Sequence, residues 1–186
     1  LLVYGIVGGS NVLVAQFWGS GDKKSIHKVL AYTYKIAALA ALILTVLAMA
    51  FPTAILSIFS TDAMVISEGA GYLRIVAISY LFYAMTTVTS GTLRSVRNVR
   101  ISVVLSAVSL AVNGALNYVL IFGKLGAPAL GIVGAAIATT VARIVEFLIL
   151  VLYMTLKEDQ LHIRLKALIP LDLSLAGKYF TNTVPV

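Results

Sequence analysis

Residues 113–140 read NGALNYVLIFGKLGAPALGIVGAAIATT, and this stretch decides the fold. One apolar run ends at Ile121-Phe122, a short turn marked by glycine and proline follows, and a second apolar run opens at Gly131. That is the pattern of two membrane helices joined by a tight turn. Asn113 and Asn117 are four residues apart, which puts both on one helix face. Gly131, Gly134, Ala135 and Ala138 open the second helix with the small residues that let membrane helices approach closely, and Thr139 closes the run. At about 1.5 Å per residue counted from the turn, Asn117 lies roughly 9 Å deep, Asn113 roughly 15 Å and Thr139 roughly 13 Å. The three polar groups are therefore expected to meet at one level between two antiparallel helices.

Composition agrees with a membrane setting. Of the 186 residues, 60% are hydrophobic and only 11% charged, where a soluble domain carries about 25%. The net charge of +7 would suggest nucleic acid in a soluble protein. Here the basic residues gather in particular loops, so no nucleic-acid partner is expected. The chain contains no cysteine, which excludes disulfides and thiol chemistry within it. His27 and His162 fall in polar loops, which argues against a histidine metal site. Leu1 lies inside an apolar run and Val186 inside the opening of another, so the chain is expected to be a fragment of a longer protein.

Outward from the central stretch, residues 1–17 read as the latter part of a span with Gly5 and Gly9 as its close-packing face, and 18–29 as a polar loop in which Asp22 or Ser25 caps the next helix. Complete spans are expected at 30–51, 69–92, 101–123 and 130–155. Lys35 snorkels near the start of the first, Pro52 marks its end, and 52–68 form a turn and a short surface segment. Ser79, Tyr83, Thr86 and Ser90 share one helix face. Ser102, Ser106, Ser109, Asn113 and Asn117 form a stripe along almost the whole of the next span. The tail at 156–178 is amphipathic, and 179–186 start another helix.

One set of loops holds Lys23, Lys24, Lys28, Arg94, Arg97, Arg100, Lys157, Arg164 and Lys166. The alternate set holds Asp62, Glu68 and Lys124, with Arg74 nearby. Basic loops are retained in the cytoplasm, so 18–29, 93–100 and 156–178 are expected there. The arginines at 94, 97 and 100 read as topology determinants that also touch anionic headgroups, and Trp18 and the loop tyrosines as interfacial anchors.

These residues resemble the multidrug and toxic compound extrusion (MATE) family of cation-coupled exporters. The carriers are the Asn113/Asn117 helix running into IFG, the GAPALG turn, and GAAIAT followed by Arg143; AQFWGSGD at 15–22 and LRSVRN at 93–98 support them. The resemblance implies an all-α, polytopic transmembrane helix bundle, part of a six-helix lobe of a twelve-helix transporter that works by alternating access. Residues 1–178 would be the N-terminal lobe from the second to the sixth membrane helix, and 179–186 the truncated start of the seventh. One branch of the family has an asparagine and an aspartate four residues apart in this helix, joined by a threonine. By motif Asn113 matches the asparagine and Thr139 the threonine, while Asn117 takes the aspartate's place. An amide does not titrate, so this departure bears on proton binding. The family's acidic residue of the first helix would lie upstream of Leu1. The resemblance implies a multi-pass protein of the plasma membrane, a prokaryotic inner membrane, monomeric when full length. It would exchange a small cationic substrate for Na+ or H+ and use no cofactor.

Arg143 and Glu146 share a face with Thr139, at depths of roughly 20 and 24 Å from the outer surface. Ionisable residues there face protein or a water-filled cavity. They read either as a local ion pair closing a helix interface or as a carboxylate that titrates or meets a cationic substrate. The stripe's serines read as packing glue. Arg143 favours the ionised form of Glu146, so the main coupling carboxylate is expected outside these residues. The cation and substrate cavity is expected to include Asn113, Asn117, Thr139, Arg143 and Glu146, with a Na+ position near the first three. Two other readings stand: a flippase for lipid-linked oligosaccharides, which would favour a strongly cationic cavity, and a non-transporting membrane assembly subunit. No nucleophile–base set or metal set suggests an enzyme.

Overall fold

The computed structural model describes residues 2–157. The expected events at 158–186, including Arg164, Lys166, His162 and the start of a further helix, lie outside the described residues. The described residues form seven helices and no strand: α1 (Leu2–Gly19), α2 (Lys23–Ala50), α3 (Pro52–Ser57), α4 (Ala63–Ala77), α5 (Tyr80–Ser95), α6 (Arg100–Phe122) and α7 (Gly131–Leu156). Of these, α2, α6 and α7 are long and apolar enough to cross a membrane, and α4 with α5 make a fourth span if the bent pair is one. The all-α bundle is as expected.

The helix ends follow from local chemistry. Asp22 precedes α2 and accepts the Ser25 amide at 3.1 Å and the Ser25 hydroxyl, satisfying an otherwise orphaned donor. The hydroxyl bond first, then the amide bond, holds the Asp22 carboxyl below its ordinary value. Asp62 caps α4 in the same way, accepting from the Met64 and Val65 amides. Pro52 opens α3, where its missing N–H costs nothing. Three helices close on the same left-handed turn. At the end of α1, Gly21 has φ 76° and the Asp22 amide returns to the Phe17 carbonyl. At the end of α6, Gly123 has φ 65° and the Lys124 amide returns to Val119. At the end of α5, Arg97 takes that place with φ 66°, and the Asn98 amide returns to Leu93.

The chain gathers into two compact units. Among the described residues, unit 1 comprises 2–40, 84–104 and 148–157, and unit 2 comprises 41–83 and 105–147.

In unit 1 the second half of α5 is the centre, although it is polar: Thr86, Thr87, Thr89, Ser90 and Thr92 are all buried with Val88 and Leu93. Two of the hydroxyls are absorbed within the helix, Thr89 donating to Met85 O and Thr92 to Val88 O, whereas Thr86 Oγ1 has no hydrogen-bond partner. Tyr34 of α2 then donates to the Thr89 hydroxyl, and Ser102 of α6 donates to Ser90 O. Helix α1 comes close at Gly91, where a Cβ would meet Val7 Cγ1 at 2.6 Å and Asn11 Nδ2 at 2.9 Å. Asn98 ties the α5–α6 loop to Tyr153 of α7 at 2.8 Å.

In unit 2 the short helix α3 packs on α4, with Leu56 against Gly69. The ends of α6 and α7 run antiparallel, Leu120 meeting Gly134 and Asn113 meeting Thr139.

Four expectations need correction. The span expected at 69–92 is two helices, α4 and α5, which meet at 53° across Ile78-Ser79. The face running from Ser79 to Ser90 is therefore interrupted, with Ser79 at the break. Residues 52–68 hold α3 and the first turn of α4, because Pro52 and the Asp62 cap each start a helix. Around Gly5 a Cβ would meet open space, whereas Gly9 is buried, and a close approach to α1 is made by Gly91 of α5. His27 lies in α2, which begins at Lys23 and so places Lys35 three turns inside it.

Candidate functional site

The hairpin of α6 and α7 in unit 2 positions the first set of polar groups. A Cβ at Gly134 would lie 2.6 Å from the Leu120 carbonyl oxygen, so only glycine admits this approach. The Leu130 amide donates to the same oxygen at 2.8 Å. Of the four small residues expected to open α7, Gly134 makes the contact and Ala138 is fully buried, whereas Gly131 faces open space.

At this distance of approach the three predicted residues meet. Asn117 Nδ2 donates to Asn113 Oδ1 at 2.9 Å, and Asn113 Nδ2 donates to Thr139 Oγ1 at 3.3 Å. Asn113 is thus engaged at both ends of its amide. Asn117 Oδ1 is buried with no hydrogen-bond partner. A buried orphan oxygen is costly unless something binds it. The chemistry is that of neutral oxygens, acceptors suited to a hard monovalent cation and unable to titrate. Of the stripe's serines, Ser102 and Ser109 are buried, but Ser106 is exposed.

Arg143 and Glu146 form a second focus further along α7. Arg143 Nη1 donates to Glu146 Oε2 at 2.8 Å. The guanidinium also stacks over the ring of Tyr83, 4.8 Å from its centroid. One residue beyond Glu146, Phe147 packs on Phe82 with ring centroids 5.4 Å apart, so consecutive aromatics of α5 hold this part of α7. The ion pair is as the spacing suggested. Tyr83 is a member that the sequence did not reveal, because nothing in its local pattern points to α7.

The break between α4 and α5 is the third feature. At the end of α4 the helical ladder gives way to shorter-range bonds from Ile78 N to Ile75 O and Ser79 N to Val76 O. Hydroxyls add to the same carbonyls: Thr140 of α7 donates to Ile75 O at 3.2 Å and Ser79 to Val76 O at 2.7 Å, while the Thr45 hydroxyl of α2 is shared between Ala41 O at 2.8 Å and Ala77 O at 3.1 Å. Thr140 and Thr45 carry no sequence signal for this role beyond being polar in apolar runs. In unit 1, Asn11 Oδ1 and Thr86 Oγ1 are buried oxygens without a hydrogen-bond partner. Among the described residues no group of three or more His, Asp or Glu stands together as a metal site.

Comparison with known proteins places these features in context. A model of the MatE family matches residues 1–119. The probable multidrug resistance protein YoeA of Bacillus subtilis is 33% identical over 161 residues, which are 84% of this chain and 34% of that protein. A probable multidrug resistance protein NorM of Thermotoga maritima is 28% identical over 163 residues, 87% of this chain and 34% of that one. The chain thus spans about a third of the length of the curated relatives it matches. An inward-facing multidrug resistance MATE transporter of the MOP superfamily superposes with a TM-score of 0.84 at 19% identity, over 99% of this chain and 41% of that one. That likeness speaks to the fold alone.

Proposed function

The chain belongs to the MatE family, and on that premise we propose that the whole protein is a cation-coupled antiporter. It exports organic cations from the cytoplasm across the plasma membrane by alternating access, driven by a Na+ or H+ gradient. Residues 1–178 contribute the second to sixth helices of its N-terminal lobe. Asn113, Asn117 and Thr139 supply neutral oxygens to the coupling ion or orient it, while the titrating carboxylate lies elsewhere in the protein.

The observation that carries this reading is the relay from Asn117 through Asn113 to Thr139, with Asn117 Oδ1 buried and unpaired at its end. Such a chain of bonds orients the free oxygen without neutralising it. An organic-cation cargo is favoured over an anionic lipid-linked sugar because Arg143, the basic residue deep in α7, is already paired with Glu146. A cavity for an anionic lipid would need a basic surplus.

The test is ethidium efflux from vesicles holding the intact transporter, under an imposed Na+ or pH gradient. Asn117→Ala and Thr139→Val are expected to cut gradient-driven efflux by about tenfold, the usual loss when a partner orienting an ion site is removed. Glu146→Gln is expected to retain the dependence on the gradient. Loss of coupling in Glu146→Gln with none in Asn117→Ala would reverse the assignment of roles.

A further inference from the structure

The geometry points to an organic-cation subsite made of the Tyr83 ring and the Glu146 carboxylate, which the protein's own Arg143 guanidinium occupies until a cationic ligand displaces it. The inference rests on the export reading above and names the place where the cargo is recognised.

A ring face and a carboxylate presented to one cation are the two elements that recognise large, weakly hydrated cations. Both are met here by Arg143, with its Cζ 4.8 Å from the Tyr83 centroid and its Nη1 2.8 Å from Glu146 Oε2. Exposure divides the three groups unequally. The side chain of Glu146 is 10% exposed and that of Arg143 37%. The anion is fixed in the protein, and the guanidinium is the part with room to leave. The tilted packing of Phe147 on Phe82, with centroids 5.4 Å apart, joins α5 and α7 through the residues next to Tyr83 and Glu146, independently of Arg143.

A purely structural role explains the arrangement less well. The ion pair joins residues three apart on one helix, so it does not itself tie α7 to α5. Buried ion pairs are also weak stabilisers compared with apolar side chains of similar volume. Exchange of one cation for another avoids the obstacle that burial creates. When Arg143 swings out and an organic cation enters, Glu146 is never left uncompensated. The aromatic face of Tyr83 favours a large, weakly hydrated cation over a small hydrated one.

The experiment measures equilibrium binding of tetraphenylphosphonium to the full-length protein in lipid nanodiscs. Arg143→Gln removes the competitor and is expected to tighten binding by about tenfold, the scale of one desolvated cation–ring contact. Glu146→Gln is expected to weaken it, as is Tyr83→Leu, whereas Tyr83→Phe keeps the ring and keeps the affinity. If Arg143→Gln does not fold, Arg143→Lys, which loses the planar stack but keeps the charge, decides the matter by tightening binding to a smaller degree. Unchanged or weakened binding in the folded Arg143 variant overturns the subsite. Coupled efflux by the wild type together with that result overturns the subsite alone. Tightened binding in a wild-type background that shows no gradient-driven efflux overturns the antiport reading and leaves the subsite standing.

Discussion

Arg97 stands where Gly21 and Gly123 stand in the equivalent turns, with the same returning hydrogen bond from the amide of the next residue and φ 66°. A side chain in the left-handed region costs about 1–2 kcal/mol, which glycine avoids. Arg97→Gly is therefore expected to stabilise the intact protein by about 1 kcal/mol, somewhat less after glycine's greater freedom in the unfolded chain is counted. A thermal unfolding midpoint that fell in Arg97→Gly would show that the arginine side chain does more for the fold than its backbone strain takes away. Its exposure makes headgroup contact the natural reason for keeping it. Asn113, Asn117 and Thr139 were legible at this scale, because helical phase and depth can be counted from a turn. Tyr83 was not, because a ring over a guanidinium is a contact between helices.

The bend between α4 and α5 is an element built without proline. Its last carbonyls keep short-range backbone bonds or none, and receive hydroxyls of Thr45 and Thr140 from two other helices and of Ser79 from within. Interhelical hydrogen bonds in membranes average about 0.6 kcal/mol and reach about 1.7 kcal/mol. Thr140→Val and Thr45→Val should each destabilise the protein by about that amount, because valine keeps the shape and loses the hydroxyl. Thermal melts of the two single variants and the double variant check this, and a stable Thr140→Val would show that the Ile78 amide alone satisfies the Ile75 carbonyl. Sequence reading placed one straight span here. Its apolar run is continuous, and Ile78-Ser79 carries neither proline nor glycine to mark a break.

At the scale of the molecule, charge is strongly partitioned. Unit 1 holds Lys23, Lys24, Lys28, Lys35, Arg94, Arg97, Arg100 and Lys157 against Asp22, whereas the described charges of unit 2 cancel. Helix α2 opens with Lys23, Lys24 and Lys28 and runs about 42 Å at 1.5 Å per residue, longer than the hydrocarbon core. Its two ends are far enough apart to reach opposite faces of a bilayer, and the retention of basic segments predicts the Ser20 end in the cytoplasm. With single cysteines at the exposed Ser20 and Thr61, an impermeant maleimide added to intact cells should label Thr61→Cys and spare Ser20→Cys. The opposite pattern would invert the topology.

The sequence by itself determined that this is a helical membrane protein, that a tight turn joins α6 to α7, and which polar residues of α6 share a helix face. Those properties depend on composition and on the fixed rise and rotation of a helix, both countable along the chain. The resemblance in motif order added the family, which the match over residues 1–119 bears out. Tertiary structure decided which small residue is the contact, since Gly134 meets a backbone carbonyl and Gly131 meets nothing. It also decided that α4 and α5 are bent, that a threonine-rich segment is a buried centre, and that Arg143 lies on Tyr83. Each of these depends on what a neighbouring helix presents at short range. A chain read in order records which residues are available, but not which partner satisfies a freed carbonyl or faces a charge.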